Sequence, residues 1–505
     1  MMLRNRFCLI ALLLLPLAGF AHVGSPDIYY DGYAGQYHLL VTIRPPAVIP
    51  GIAEIQVRSA SNDVTQLQLL PLRMFGPAAK LAPKPDIAER STADPQLFSG
   101  HLWMMDRGSW RVQVNVDGQH GKAELAVPVA AVSTTSAKMN KSLGLLLGVL
   151  GLLMVAGFVG IVGAANREAK LDPDKDTTPA QRRRGFISMG VATVLMIGVL
   201  IFANNWWGSE ASANAKLSYK LPHLQPSLEA GGALRLHLEN PNEAAGFTQF
   251  GTERQDRLRL DDLVPDHGHL MHLFLVRMPD MKSFWHLHPS QLQTGEFSDD
   301  LPNLPAGHYR IYADIVHATG FPETEIGEID LPAIPGKDLN TGSLKNDDSG
   351  SAALSTGDKV SQLSDGYRMV WERDSASLSL KAKQALWFRF RIEDKNGHPA
   401  TDLENYMGMA GHAAIIRDDG EVFAHVHPAG SVSMAAAEMA QNAGSTPNSS
   451  SGMNMAMNTA ANHDAPSAEV SFPYGFSQPG DYHIYVQVKR AGHVETGAFV
   501  AHVEN

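Results

Sequence analysis

Three long apolar runs interrupt a chain whose other hydrophobic residues occur in short stretches that alternate with polar ones. The first run, residues 7–17, follows two arginines and precedes small residues that end at Ala21. A short apolar run flanked in this way is typical of a secretory signal peptide. We therefore predict a signal peptide over residues 1–21, with an uncleaved membrane anchor as the alternative.

The other two runs, residues 143–165 and 186–204, are almost wholly apolar and close to the length that crosses a bilayer. They predict two transmembrane helices; a buried hairpin of a soluble protein is the alternative. The intervening loop, residues 166–185, carries six Lys and Arg residues, and short basic loops stay in the cytoplasm. We therefore predict a protein of the cytoplasmic (inner) membrane whose N-terminal and C-terminal parts lie in the periplasm.

Short alternating runs, such as those over residues 37–43 and 110–116, predict β-strands. They indicate a β-sandwich over residues 22–135. Two further β domains, residues 215–335 and 363–505, flank a linker at 336–362 that is rich in Gly, Ser and Asp. The predicted fold class is mainly β: three exported immunoglobulin-like or cupredoxin-like β-sandwich domains, with a two-helix transmembrane hairpin between the first and the second.

The two C-terminal domains, here called repeat A (215–335) and repeat B (363–505), are copies of each other. When Asp262 is laid over Asp402, a histidine follows each after ten residues and an arginine after five more. A His-x-His-Pro motif comes next in both copies. Repeat B differs by a low-complexity insertion at 431–467. The sequence therefore predicts a duplicated β domain.

The histidines of each copy are predicted to converge on one sheet face. Alternation along a strand puts both imidazoles of a His-x-His pair on the same side. A tight hairpin turn in each copy sets a register that pairs His272 with His288 and His412 with His427. The predicted metal ligands are therefore His272, His286 and His288 in repeat A, and His412, His425 and His427 in repeat B.

Composition narrows the chemistry of such a cluster. The chain has 21 His and 20 Met but a single Cys, which lies in the predicted signal peptide, so thiolate ligands are excluded from the mature protein. Neutral imidazoles buried together need partners, and a metal ion supplies one. The predicted ion is copper, Cu(I) or Cu(II), with zinc as a second possibility. The alternative is that these are surface or hydrogen-bonded histidines.

The two copies differ just upstream of the shared histidines. His267 and His269 of repeat A align with Met407 and Met409 of repeat B, and all four are further candidate ligands. Thioethers select Cu(I), whereas imidazole suits Cu(II) and Zn. We therefore expect repeat B to favour Cu(I) more than repeat A does.

Additional candidate ligands lie outside these motifs. Asp314 and His317 stand in repeat A where repeat B has Gln487 and Arg490. The insertion of repeat B is either a flexible copper-collecting arm or a solvated loop. Its candidate ligands are Met453, Met455 and Met457.

The run His-Leu-Phe-Leu-Val-Arg, then His-x-His-Pro and Leu-Pro-x-Gly-x-Tyr-Arg in repeat A, resembles exported bacterial YtkA-like and heavy-metal-associated β-sandwich proteins. Residues 108–129 are similar to the closing strands of FixH-like, YtkA-like and CopC-like proteins. The resemblance implies metal handling in the cell envelope. A copper-transport or respiratory-complex partner is the corresponding expectation.

The net charge of −11, with 52 acidic and 41 basic residues, argues against nucleic-acid binding. The predicted function is that of a membrane-anchored periplasmic protein that binds or delivers copper and is not an enzyme. One alternative is a copper-dependent redox enzyme that uses His22, which signal cleavage would expose as the N-terminal residue. The other is a metal-free assembly factor for a membrane complex. No catalytic residue or organic cofactor is predicted.

Overall fold

The structure is a computed structural model that forms two compact units, one made of residues up to Val132 together with Lys220–Asn505, and the other of Ser133–Tyr219. The predicted signal peptide, His22, and the candidate ligands Met453, Met455 and Met457 lie outside the described residues. The described residues are 27–75, 81–135, 139–169, 171–172, 175–215, 219–220, 223–239, 259–336, 339, 349–353, 359–373, 379–443 and 467–505.

The N-terminal domain is a sandwich of two antiparallel sheets, with strand orders β1-β2-β3-β7-β6 and β5-β4-β8-β9. Alternate residues of both sheets point inward and form one apolar core. Strands β2 and β8 contain the two stretches for which the sequence predicts strands. The bounds are β1 Ile28–Ala34, β2 Tyr37–Arg44, β3 Gly51–Ser59, β4 Val64–Arg73, β5 Asp86–Ile87, β6 Glu89–Arg90, β7 Leu97–Met104, β8 Gly108–Gly118 and β9 Gly121–Ala131.

The second unit contains two long apolar helices in a hairpin, α1 (Lys141–Glu168) and α2 (Pro179–Ala215). The side chain of Asn140 accepts a hydrogen bond from the backbone N–H of Ser142 and caps α1. The most apolar windows have mean hydropathies of 2.7 and 2.5, so both helices are long and apolar enough to cross a membrane. Each extends past its predicted span because its polar ends continue the helix.

Repeat A forms a nine-stranded sheet in the order β14-β15-β11-β10-β17-β16-β12-β13-β18, folded around one apolar core. Its last strand comes from the predicted linker and pairs with β13. The bounds are β10 His223–Leu228, β11 Ala233–Glu239, β12 His272–Met278, β13 Ser283–Leu287, β14 Ser290–Gln293, β15 Glu296–Asp300, β16 Gly307–Val316, β17 Pro322–Leu331 and β18 Gly350–Ala353.

Repeat B contains two sheets, β19-β20-β22-β26 and β21-β28-β27-β24-β25, with β23 paired to β27. They enclose a second large core. A short helix, α3 (Met434–Asn442), follows the His-Pro motif. The strand bounds are β19 Val360–Gln362, β20 Arg368–Glu372, β21 Leu380–Lys381, β22 Leu386–Glu393, β23 Leu403–Glu404, β24 His412–Arg417, β25 Phe423–Val426, β26 Glu469–Tyr474, β27 Gly480–Arg490 and β28 His493–Glu504.

The duplication is visible in strand pairing. The hairpin β12–β13 pairs with β16 as the hairpin β24–β25 pairs with β27. Leu273 lies opposite Leu287 and Ala413 lies opposite Val426, so both hairpins have the registers predicted from their turns.

Repeats A and B pack against each other through reciprocal contacts. The ring of Phe284 stacks on Tyr485 at 4.2 Å, and the ring of Phe423 stacks on Tyr312 at 4.4 Å. The hydroxyl of Tyr485 donates to the carbonyl of Met281 at 2.6 Å, while Tyr312 donates to the carbonyl of Gly420 at 2.8 Å. Each contact that repeat A makes to repeat B is matched by an equivalent contact from repeat B to repeat A. The interface therefore has approximate two-fold symmetry.

Repeat B also binds the N-terminal domain, through the segment after its His-Pro motif. The backbone N–H of Asp31 donates to the carbonyl of Ala429 at 2.8 Å, and the N–H of Ser431 donates to the carbonyl of Tyr29 at 2.9 Å. Helix α3 packs on strand β9. The first part of the insertion is therefore an ordered docking element, a role that the sequence analysis did not predict.

Candidate metal centre

The structure brings together the three predicted histidines of each repeat with matching geometry. We call His272, His286 and His288 cluster A, and we call their counterparts His412, His425 and His427 cluster B. The three ring-centroid distances are 5.3, 5.0 and 4.6 Å in cluster A and 5.5, 5.0 and 4.5 Å in cluster B. The shared hairpin register therefore produces the same imidazole arrangement twice.

The two clusters adjoin each other across the interface between the repeats. The rings of His272 and His425 are 5.3 Å apart, and those of His286 and His425 are 5.8 Å apart. Cluster A has one donor atom from each residue within 4.8 Å of the others. The second group that meets this distance is His267, His412 and His427. One ligand candidate of repeat A thus lies with the histidines of repeat B, whereas the sequence argument assigned each ligand to its own repeat.

A tight turn places His267 there. The N–H and C=O groups of Asp266 and His269 form two hydrogen bonds of 2.9 and 3.0 Å across the turn. His267 and Gly268 have φ values of 50° and 87°, so the chain reverses within two residues. Glycine tolerates this left-handed backbone without strain. The turn directs the His267 imidazole toward His412 and His427, whose ring centroids lie 5.1 and 5.0 Å away.

Backbone carbonyls hold the outer nitrogens of three rings. His267 Nδ1 lies 3.0 Å from the carbonyl oxygen of Met407, and His427 Nδ1 lies 3.1 Å from that of Val432. His272 Nε2 lies 3.1 Å from the carbonyl oxygen of Asp266. Carbonyl oxygens only accept, so each of these ring nitrogens donates a proton. The other nitrogen of each neutral ring is therefore a lone-pair acceptor, the arrangement that second-shell contacts give metal-binding histidines.

Of the contacts in the centre, the one between His272 and His286 most strongly requires a cation. His286 Nδ1 lies 2.8 Å from Gln487 Oε1, while the amide nitrogen of Gln487 donates to the Thr496 hydroxyl. The opposite nitrogen, His286 Nε2, then carries a lone pair, and it faces His272 Nδ1 at 3.1 Å. Two lone pairs at this distance repel each other unless a cation lies beside them. Tetrahedral coordination with metal–nitrogen bonds of about 2.0 Å separates neighbouring nitrogens by about 3.3 Å, close to the spacing seen here.

Other imidazole nitrogens of the centre are buried without a hydrogen-bond partner among the described residues. Leaving a buried polar atom unpaired costs about 1–3 kcal/mol, so this number of unpaired atoms at one place calls for a ligand. They are His267 Nε2, His288 Nε2, both nitrogens of His412, His425 Nε2 and His427 Nε2.

Protonation of the histidines does not provide partners for these buried nitrogens. Burial lowers the pKa of His286 to about 3 and that of His427 to about 4, because an imidazolium loses hydration inside the protein. Burial, followed by the neighbouring histidines, also lowers the pKa values of His272, His288 and His412. These rings are therefore neutral near pH 7, and their lone pairs are available to a metal ion.

Two carboxyl groups, one buried and one half-buried, border the histidines. Asp266 accepts the backbone N–H of Ala435 at 2.9 Å, which ties the turn at His267 to the start of helix α3. Asp314 Oδ2 lies 3.3 Å from His425 Nδ1, and burial raises the pKa of Asp314 to about 7. Asp314 thus faces the cluster B histidine that corresponds to His286, just as Gln487 faces His286. Each repeat supplies an outer partner for a histidine of the other repeat.

The remaining described candidates have different surroundings. His269 stacks on His288 with ring centroids 3.9 Å apart, a packing contact within repeat A. Met407 and Met409 are half-buried in the turn of repeat B that corresponds to the His267 turn. Asp314 borders the centre, as described above.

His317 lies outside both clusters. Its Nδ1 contacts Asp262 at 2.7 Å, and its Nε2 contacts Glu323 at 3.0 Å. Although burial opposes the charge, the two carboxylates raise the pKa of His317 to about 10. At the corresponding place in repeat B, Arg490 contacts Asp402 and Glu495 at 2.9 and 2.7 Å. His317 is therefore a buried cation in an ion pair that both repeats possess, and the structure does not place it as a metal ligand.

The sequence analysis missed three residues that shape the centre, Asp266, Tyr406 and Gln487. Tyr406 lies one residue before Met407, as Asp266 lies one residue before His267, so the alignment of the repeats marks both turns. The Tyr406 hydroxyl lies 3.3 Å from His286 Nδ1. Gln487 is the aligned counterpart of Asp314, and this correspondence was the available signal for its role.

Comparisons with known proteins give little functional information. The family model described as "Domain of unknown function (DUF8832)" matches residues 361–505, a range that covers repeat B. No curated protein matches the chain.

The chain is also similar to several solved structures at low TM-scores. A 1.5-MDa bacterial ice-binding adhesin shares 5% identity over 90% of this chain and 91% of that chain, with a TM-score of 0.15. A mutant of Salmonella alpha-2-macroglobulin shares 10% identity over 94% of this chain and 33% of that chain, with a TM-score of 0.17. A biofilm-associated protein domain shares 7% identity over 99% and 70%, with a TM-score of 0.14. Likenesses this weak transfer neither fold nor function.

Proposed function

We propose that the protein is a membrane-anchored metal-binding protein of the bacterial periplasm, which binds or delivers copper through the histidine centre between repeats A and B. The observation that carries this proposal is the 3.1 Å contact between His272 Nδ1 and His286 Nε2, two nitrogens whose outer neighbours leave both of them as acceptors. A metal ion bonded to both nitrogens turns this repulsion into coordination.

Copper is favoured over zinc by the ligand types that are available. The centre offers imidazoles, and the adjoining turn of repeat B contains Met407, whose carbonyl contacts His267, and Met409. Imidazole suits both copper and zinc, while soft thioether ligands favour Cu(I).

The proposed location follows from the charge of the loop between the two apolar helices. Arg182, Arg183 and Arg184 precede the apolar part of α2 and belong on the cytoplasmic side. Repeats A and B are then periplasmic. A reporter inserted in residues 166–185 is expected to behave as cytoplasmic and one fused at Asn505 as exported; the reverse would contradict the proposed orientation.

Metal analysis of the full-length protein in detergent tests the function. The protein is loaded separately with copper and with zinc, dialysed, and its metal content compared with that of His286→Ala/His288→Ala. The matched control is His237→Ala/His308→Ala, which removes two exposed histidines of the same repeat. We expect the control to retain the wild-type metal content and the cluster variant to lose the metal that cluster A binds. Unchanged metal in a folded cluster variant would contradict the proposal.

A further inference from the structure

The approximate two-fold symmetry between the repeats carries an inference about the ligands of cluster A. His267 reaches from repeat A to His412 and His427 of repeat B. We propose that Met407 reaches in the opposite direction, from repeat B to repeat A, and that its thioether sulfur ligates the ion held by His272, His286 and His288. This inference rests on the proposed metal binding and extends it to a second, mixed imidazole–thioether site.

The first support is the close similarity of the backbone in the two turns. Met407 and Gly408 have φ values of 51° and 81°, against 50° and 87° for His267 and Gly268. Tyr406 and Met409 form two cross-turn hydrogen bonds of 2.7 and 3.1 Å, as Asp266 and His269 do. Because the Cα–Cβ direction follows from the backbone, the side chains of His267 and Met407 leave their turns in the same way.

The second support is that the turn of repeat B lies beside cluster A. The hydroxyl of Tyr406 is 3.3 Å from His286 Nδ1, so the residue next to Met407 already contacts cluster A. The carbonyl of Met407 accepts the hydrogen bond from His267 Nδ1, which shows that the two turns meet at the interface. Each turn therefore borders the cluster of the opposite repeat.

The third support is the equal geometry of the clusters. His267 lies 5.1 and 5.0 Å from His412 and His427, measured between ring centroids. The counterparts of those two rings, His272 and His288, have the same 5.0 Å separation that His412 and His427 have. A position equivalent to that of His267 thus exists beside cluster A, and Met407 is the residue whose turn supplies it.

The crossing changes the expected metal preference. If ligands stayed within their own repeats, the thioethers would make repeat B the softer site. With crossing, cluster A becomes three imidazoles plus one thioether, while His267 makes cluster B wholly imidazole. Soft thioether ligation favours Cu(I), so the Cu(I)-preferring site is cluster A. Met409 is excluded as the crossing ligand because its counterpart His269 packs on a histidine of its own repeat.

Copper K-edge X-ray absorption on the full-length protein in detergent, loaded with Cu(I) without oxygen, tests this inference. The wild-type protein should show a copper–sulfur component. Met407→Leu should lose that component, while the matched control Met409→Leu should keep it. A Met-to-Leu change conserves volume and costs less than about 1.5 kcal/mol, so both variants are expected to fold.

Removal of each cluster locates the thioether. His286→Ala/His288→Ala should lose one copper together with the copper–sulfur component, whereas His412→Ala/His427→Ala should retain the component. Bound copper with nitrogen ligands alone, or a sulfur signal that survives in Met407→Leu, would overturn the inference and leave the proposed function standing. A wild-type protein that binds no copper or zinc would overturn both.

Discussion

Repeats A and B build the same histidine geometry but surround it with different chemistry. At corresponding positions His286 faces the neutral amide of Gln487 at 2.8 Å, and His425 faces the carboxylate of Asp314 at 3.3 Å. The ring positions depend on strand register, which the two copies share. The outer partners are single side chains, and these differ between the two repeats. A duplicated scaffold can therefore hold two similar sites with different outer partners.

A second pair of corresponding residues occupies equivalent places in the two repeats but differs in chemistry. Each repeat buries one cation between two carboxylates, His317 in repeat A and Arg490 in repeat B. Arginine stays charged at every pH that a protein experiences, whereas histidine can lose its proton. We therefore expect the repeats, which share the pairing of their central hairpins, to differ in their response to pH.

The largest expected effect concerns the apolar contact that joins the repeats. Phe284 and Phe423 are fully buried, and each stacks on a tyrosine of the opposite repeat. Replacing either by alanine should lower the free energy of unfolding by about 3–5 kcal/mol, by similar amounts in the two variants. Denaturant unfolding of the full-length protein in detergent measures both values.

Phe297 provides the control for that pair, because it is buried in the core of repeat A and does not belong to the apolar cluster between the repeats. Phe297→Ala should destabilise repeat A without separating the histidine clusters. A loss in Phe284→Ala several times that in Phe423→Ala would show that the interface is not functionally symmetric.

Local sequence features predicted the hairpins and the convergence of the histidines. The Asp419-Gly420 turn sets the register of one hairpin, and strand alternation then places His425 and His427 on one face. Each of these steps depends on residues within one hairpin. The crossing of His267 depends instead on how two separate domains pack, and alternation within a strand contains no information about that packing.

The docking of helix α3 was also missed, for a compositional reason. Residues 431–467 are rich in Ala, Ser and Met, which is typical of a solvated loop as well as of a helix. Ser433 was an available signal, since its side chain caps the helix by accepting the N–H of Ala436 and eight residues with good helix propensity follow. The apolar partner surface belongs to a distant domain, so its contribution could not be read locally.

The next largest expected effect is a loss of stability at alkaline pH that comes from repeat A alone. The carboxylates of Asp262 and Glu323 raise the pKa of His317 to about 10, above its value in the unfolded chain. Glu325 also lies near it, and burial, followed by the charge of Glu323, raises the pKa of that carboxyl. A raised histidine pKa stabilises the folded state fully below pH 6.5, and the stabilisation is lost as pH rises to about 10.

Between pH 7 and 9.5 this linkage amounts to on the order of 3 kcal/mol. Hydrogen exchange of strands β16 and β17 should therefore accelerate over this range, while exchange of β27 and β28, next to Arg490, should respond less. His317→Gln is expected to abolish the difference between the two strand pairs at lower overall stability. Equal pH dependence of both pairs in the wild-type protein would contradict the assignment of His317 as a buried cation.

The smallest expected effect tests the symmetry of the interface most finely, because it removes one atom from each repeat. Tyr312→Phe and Tyr485→Phe keep the ring stacking and delete the hydroxyls that donate to the carbonyls of Gly420 and Met281. Each change leaves a buried carbonyl without that donor and should cost about 1 kcal/mol of unfolding free energy. Denaturant titration of the two single variants and the double variant measures the losses. If the two hydroxyls act as equivalent, separate links, the single losses agree and the double loss is their sum within about 0.5 kcal/mol. A double loss well below the sum would mean that breaking one link already releases the other, so that the repeats separate along the whole interface at once.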